Sequence, residues 1–188
     1  LVRDRGADFG TGGDPTVGGI GNDVGATTII SNAIIRGNSA PGNTGGLANL
    51  GGRMTINSAT IAGNIGAPSA VASQLSGAVT TITNTTISGN TSSFGAVSAQ
   101  GITSLVHVTI AGNTSGIVAF EPVMIKDSIM ANSTGGSNCF SKMNVVSQGY
   151  NLDDDKSCGF NAIGDISGKS AMLGILADNG GGTLTHAL

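Results

Sequence analysis

The sequence predicts an all-β fold: a right-handed parallel β-helix, or solenoid, closed by a small cysteine-containing C-terminal module. Three observations predict it. A six-residue core recurs five times, as AIIRGN ending at Asn38, ATIAGN at Asn64, TTISGN at Asn90, VTIAGN at Asn113 and a degraded DSIMAN at Asn132, with steps of 26, 26, 23 and 19 residues. The apolar segments inside each period are a few residues long and β-branched, which suits strands and is too short for helices. Finally, 32 Gly, 20 Ser, 19 Thr and 16 Asn among 188 residues leave only 10% charged positions, so bulky packing is spread thinly between many turns.

Each period divides into three short strands, as one coil of a solenoid requires. The first begins at small-residue pieces such as GGI at Gly18, GGL at Gly45, GAV at Gly95 and GIV at Gly116. The second carries Ile30, Ile56, Ile82, Leu105 and Met124, each five residues before a central Ile. The third carries those central residues, Ile35, Ile61, Ile87, Ile110 and Ile129, expected to stack ~4.8 Å apart as an inward aliphatic column. The predicted core is therefore Ile30, Ile35, Ile56, Ile61, Ile82, Ile87, Leu105, Ile110 and Ile129. A leucine-rich repeat of similar period would need several Leu per unit, and the anchors here are Ile. Asn38, Asn64, Asn90, Asn113 and Asn132 are expected at a corner, tolerating left-handed backbone angles and forming a side-chain ladder.

The coils are expected over 1–134, with 135–188 as the closing module. Arg3, Asp4, Arg5 and Asp8 in the N-terminal stretch could cap the first coil or dock onto a neighbour. Cys139 and Cys158 either form one disulfide, favoured by an oxidising compartment, or remain two buried thiols. The chain starts at Leu1 without a charged leader, which fits a processed, secreted form.

Composition also limits function. A net charge of -3 gives no footprint for nucleic acid, and one Tyr with no Trp leaves little for base stacking or for the usual aromatic sugar platform. No apolar run of ~18 residues could span a bilayer, and 39% hydrophobic residues are too many for ordinary disorder.

Catalysis on a β-helix scaffold, by a polysaccharide lyase or hydrolase, needs clustered acidic ligands or a carboxylate pair. No Asp or Glu lies between Asp23 and Glu121, so the regular coils offer neither. No catalytic, cofactor or metal site is expected. A carbohydrate-active enzyme would have to draw its carboxylates from Asp4, Asp8, Asp14, Asp23, Glu121, Asp127 and Asp153 to Asp155. His107 reads as a surface or corner residue with no acid partner in an adjacent coil, and His186 as a structural hydrogen-bonding group. Asp153, Asp154 and Asp155 read as a solvated turn, with calcium binding as the alternative. Thr60, Thr86 and Thr109, continued by Ser128, could form an ice-binding array, but the partner column Arg36, Ala62, Ser88, Ala111 and Met130 breaks its regularity. Glycosylation sequons begin at Asn84, Asn90, Asn113 and Asn132, and three of these are expected in the ladder.

The runs from Ile82 to Ser93 and from Val108 to Gly116 resemble the NxTIxGN repeats of bacterial surface β-helix proteins, including the polymorphic outer-membrane protein family. SQGYNL at Ser147, SCGF at Ser157, GD at Gly164 and LGILADNGGGTLTHAL from Leu173 to Leu188 are similar to the closing module of the choice-of-anchor Q surface proteins. The resemblance runs from about Thr27 to Leu188. It departs at Gly182, where the family usually has Pro, and in ending at Leu188 without the anchoring segment that usually follows. It implies export from a bacterium, placement at the cell surface or release, and a structural or adhesive role without enzymatic activity. Expected partners are further copies stacked end to end, or a surface glycan or other cell-surface ligand.

Overall fold

A computed structural model describes residues 17–140 and 144–188. They form a parallel β-solenoid of about five turns, with no α-helix among the described residues. One sheet stacks Ile20–Asn22, Leu47–Asn49, Ser69–Ser73, Gly95–Ala99, Ile117–Ala119 and Cys139–Phe140. A second contains Thr27–Ser31, Arg53–Asn57, Val79–Ser88, Ile102–Ala111, Ile129–Ala131, Leu152–Asp153 and Ile166–Ser167 along its main path. A short third sheet joins Ser39–Ala40, Ile65–Gly66 and Thr91–Ser92.

Parallel, in-register stacking sets like residues over like. Ile35, Ile61, Ile87 and Ile110 form one buried column, and Ile30, Ile56, Ile82 and Leu105 a second. A third runs through Leu47, Val71, Val97 and Ile117. Each fully buried aliphatic side chain contributes roughly 1.5–3 kcal/mol relative to exposure, so a narrow core of this kind suffices when it is continuous.

The degraded repeat is displaced by one residue from its expected register. Ile110 pairs with Met130 and Leu105 with Ile125, so Met130 and Ile125 point inward, whereas Ile129 and Met124 are only half-buried. Side chains alternate along a strand, and a one-residue shift exchanges the two faces. Ile129 therefore leaves the predicted core and lies beside Thr109, and Ala131 rather than Met130 continues the Arg36 column. Ser128 likewise sits in the coil next to Val108, whose backbone N–H donates to Ser128 Oγ at 3.0 Å, and does not continue the Thr column.

The same shift explains the corner. The residue with left-handed backbone is the glycine before the ladder Asn, with φ of 67° at Gly37, 61° at Gly63, 62° at Gly89 and 65° at Gly112. Asn132, at 58°, takes this glycine position, consistent with the tolerance of Asn for it. It is exposed and outside the ladder. A second corner is left-handed throughout, at Asn32, Ser58, Asn84, His107, Asp127, Tyr150 and Gly164.

Towards the C-terminus the strands shorten, from ten residues in Val79–Ser88 to two in Ile166–Ser167. Cys139 follows Ile117 in the third core column and forms a disulfide with Cys158, with Cα atoms 4.8 Å apart. The bridge sits where the aliphatic column ends. The tail then returns along the second sheet, where Leu176–Ala177 pairs antiparallel with Thr185–His186. Thr60 Oγ1 donates to the Leu184 carbonyl at 2.7 Å. Thr60, Ala62, Thr86 and Ser88 alternate with inward Ile61 and Ile87, yet all are buried, and the tail lies against this face. Thr60 and Thr86 thus do not present the open Thr array an ice-binding face requires. Arg3, Asp4, Arg5, Asp8 and Asp14 lie outside the described residues. No helix of the described residues is long and apolar enough to cross a membrane.

Candidate functional site

Among the ladder residues, Nδ2 of Asn38 donates to Oδ1 of Asn64, Nδ2 of Asn64 to Oδ1 of Asn90, and Nδ2 of Asn90 to Oδ1 of Asn113. Their second amide protons bond backbone carbonyls, as Asn90 does to Ile61 and Asn113 to Ile87. This network is structural. A second pair escaped the sequence reading: Asn22 Nδ2 donates to Asn49 Oδ1 at 2.9 Å. Its signal was the 27-residue spacing of two Asn, each shortly after a Gly-Gly-aliphatic piece.

His107 does have an acid partner in the adjacent coil. Asp127 Oδ2 lies 3.4 Å from its Nε2 and 3.7 Å from Lys126 Nζ. The register explains this, because Val106 pairs with Lys126 and so places His107 over Asp127. The imidazole is largely exposed at a left-handed corner, between Asn84 and Asp127 in its column. A general base needs the proton of a reacting group within hydrogen-bond reach, and the charged group the fold places beside Nε2 is the Asp127 carboxylate.

The three aspartates are not a solvated turn. Asp153 occupies the inward column beside Met130 and is fully buried, whereas Asp155 is exposed. All six carboxylate oxygens accept N–H groups. Asp153 takes Asn138 Nδ2 and the Cys158 backbone, Asp154 takes Asn138 Nδ2 and the Asn132 backbone, and Asp155 takes the backbones of Asn138 and Ser157. Burial pushes the Asp153 carboxyl above the usual range, against the lowering effect of the Asn138 and Cys158 bonds. At Asp155 burial also acts upward, but hydrogen bonds from Ser157 and Asn138 outweigh it and lower the carboxyl. The ligand oxygens lie within 4.8 Å of one another, yet their hydrogen bonds tie the turn before Cys139 to the disulfide partner.

His186 bridges the tail to the coils. Its Nδ1 faces the Gly174 carbonyl at 2.7 Å and its Nε2 the Ser88 hydroxyl at 2.9 Å. A carbonyl only accepts, so Nδ1 carries a proton and, in the neutral ring, Ser88 donates to Nε2. Serine, imidazole and orienting carbonyl are the geometry of an activated nucleophile, but acyl transfer also needs N–H donors for the developing oxyanion. The adjacent Gly89 N–H is bonded to Ala111 O, and Ser88 lies buried beneath the tail. The arrangement acts as a latch.

An accessible groove of about 520 Å³ lies on the outer side of the first sheet. Phe94 enters it from the turn before Gly95–Ala99, and Phe120 from the turn after Ile117–Ala119. Val118 and Phe140, neighbours in adjacent coils, line it between them. Phe94, Phe120 and Phe140 are 50%, 52% and 66% exposed as residues. Three exposed rings in one concavity are unlike isolated surface apolar residues and are the usual mark of an interaction site. Individual Phe positions in a sequence with few aromatics gave no periodic signal. Only the stacking of coils brings residues 94, 120 and 140 together.

Comparison with protein-family models, with curated proteins and with solved structures gave no match for this chain.

Proposed function

We propose that this chain is a non-enzymatic adhesive module displayed outside a bacterial cell, a rigid β-solenoid that contacts its partner through the Phe94, Phe120 and Phe140 groove. The observation that carries the reading is the gathering of these three exposed rings on a scaffold whose regular coils hold no carboxylate. The disulfide suits an oxidising compartment, and the repeat and tail motifs resemble those of surface-displayed families. The two-residue strand at Ile166–Ser167 offers only a short edge to a further copy, which favours contact through the groove over end-to-end stacking.

Purified protein immobilised on beads tests this against bacterial and eukaryotic cell surfaces. Wild-type beads should adhere, and the triple variant F94A/F120A/F140A should lose most adhesion while keeping its circular dichroism spectrum. Equal adhesion of both proteins, or none by either, defeats the reading. Turnover of a polysaccharide that is abolished by replacing a carboxylate would establish the enzyme instead.

A further inference from the structure

We infer that the groove binds a linear, uncharged sugar chain. The inference rests on the reading of the chain as an adhesive module and names the chemistry of its ligand. Phe94, Phe120 and Phe140 come from successive coils and from different levels along their strands, Phe94 before Gly95–Ala99, Phe140 level with Ser98 and Phe120 beyond Ala119, so the rings are spread obliquely across the groove and suit an extended ligand. Three Phe rings stand in for the Tyr and Trp whose scarcity argued against a sugar platform: an aromatic face carries negative potential and an apolar surface, and the C–H face of a sugar ring complements both.

Hydroxyl groups decide between a sugar and a plain hydrocarbon. Ser93, Thr114, Ser115 and Ser137 line the groove beside the rings. Thr114 and Ser115 already donate to the carbonyls of Asn90 and Phe94, whereas Ser93 and Ser137 are exposed and their hydroxyls bond no described protein group. A hydrocarbon would bury those two without partners, a greater loss than the net gain of an ordinary hydrogen bond. Sugar hydroxyls would pair with them. Charge selects further: no described lining residue is ionisable, and the protein carries a net charge of -3. An acidic glycan would place carboxylates where no cation receives them.

The test is titration calorimetry of the intact protein with neutral hexasaccharides of β-1,4-glucan, β-1,3-glucan, β-1,4-mannan and α-1,4-glucan. Hexagalacturonate and decanol serve as acidic and hydrocarbon probes. At least one neutral hexasaccharide should bind, and each of F94A, F120A and F140A should weaken it about tenfold, as loss of a central aromatic contact does. Hexagalacturonate and decanol should bind at least tenfold more weakly. All three side chains are exposed, so the variants should keep the wild-type thermal midpoint, and that midpoint is the folding control. Preference for hexagalacturonate or decanol overturns the inference, as does neutral-sugar binding unaffected by all three substitutions. If none of the neutral sugars binds while bead adhesion still depends on the three Phe residues, the sugar inference fails and the adhesive reading stands with a protein partner. Loss of both fails both.

Discussion

Asn90 and Asn113, 23 residues apart in sequence, are joined through one oxygen: Oδ1 of Asn113 accepts both the side-chain amide and the backbone N–H of Asn90, each at 2.9 Å. Repeated from Asn38 onward, this contact gives each inner Asn two donors and one shared acceptor that water cannot reach. Asn90→Ala would strand the backbone and side-chain donors of Asn64 and the Ile61 carbonyl. A loss of about 2–4 kcal/mol in urea unfolding is expected. Asn132→Gly, at an exposed corner that already has glycine's backbone conformation, should stay within about 0.5 kcal/mol of wild type. Equal effects at the two sites would contradict the ladder assignment.

The displaced register of the fifth repeat predicts an unequal pair. Met130→Ala removes a fully buried side chain and should cost about 2–5 kcal/mol. Ile129→Ala, half-buried, should cost less than half as much. Denaturant midpoints with unchanged slopes would measure both, and the reverse order would restore Ile129 to the core.

Reducing the bond between Cys139 and Cys158 reopens a loop of 19 residues. Loop-closure entropy sets the expected loss at about 3 kcal/mol, seen as a lower unfolding midpoint in dithiothreitol. Two titratable thiols in the untreated native protein would refute the bridge.

Burial raises the Asp153 carboxyl above the ordinary range of an aspartate, so its contribution is fully present below the unfolded value and is lost as pH rises through the folded one. Asp155 is lowered, so it contributes above the unfolded value and loses that contribution as pH falls through the folded one. Asp153→Asn removes the first dependence and weakens the second only through the Asp153 hydrogen bond, the smallest of the causes that lower Asp155. Relative to the variant, wild type should lose stability as pH rises from about 4 upward. Thermal midpoints of the two proteins across this range check the sign, and parallel curves would rule out a raised Asp153.

His186→Ala should loosen the tail without unfolding the coils. Amide exchange around 176–186 is expected to quicken, while the Ile102–Ala111 strand keeps wild-type protection. Unchanged exchange in the tail would deny His186 its latching role.

The regular coils were legible because period and side chain agree there: Ile61 over Ile87 is both the repeat and the contact. Asn64 and Asn90 were legible for the same reason. DSIMAN misled because its Ile invites alignment with the central Ile, whereas the glycine-like corner at Asn132 sets the true register one residue away. That slip also hid Asp127 from His107. Asp153 looked like loop surface because three adjacent charges seldom enter a core, and only the Asn138 and Cys158 donors make its burial tolerable. The Phe groove had no linear signature at all, since its members share neither a repeat position nor a spacing.

The hydrogen bond from Thr60 to Leu184 joins residues 124 positions apart. A solenoid whose coils touch only their neighbours can gain or lose coils one at a time, and its unfolding is correspondingly gradual. A returning tail changes that behaviour. The face of the early coils at Thr60 and Ser88 attains its full burial only after the last dozen residues have been synthesised and have docked. The tail thereby couples an early part of the solenoid to the residues made last, and a nick near it would uncover the Thr60 and Ser88 face of coils made long before, while their aliphatic columns stay closed.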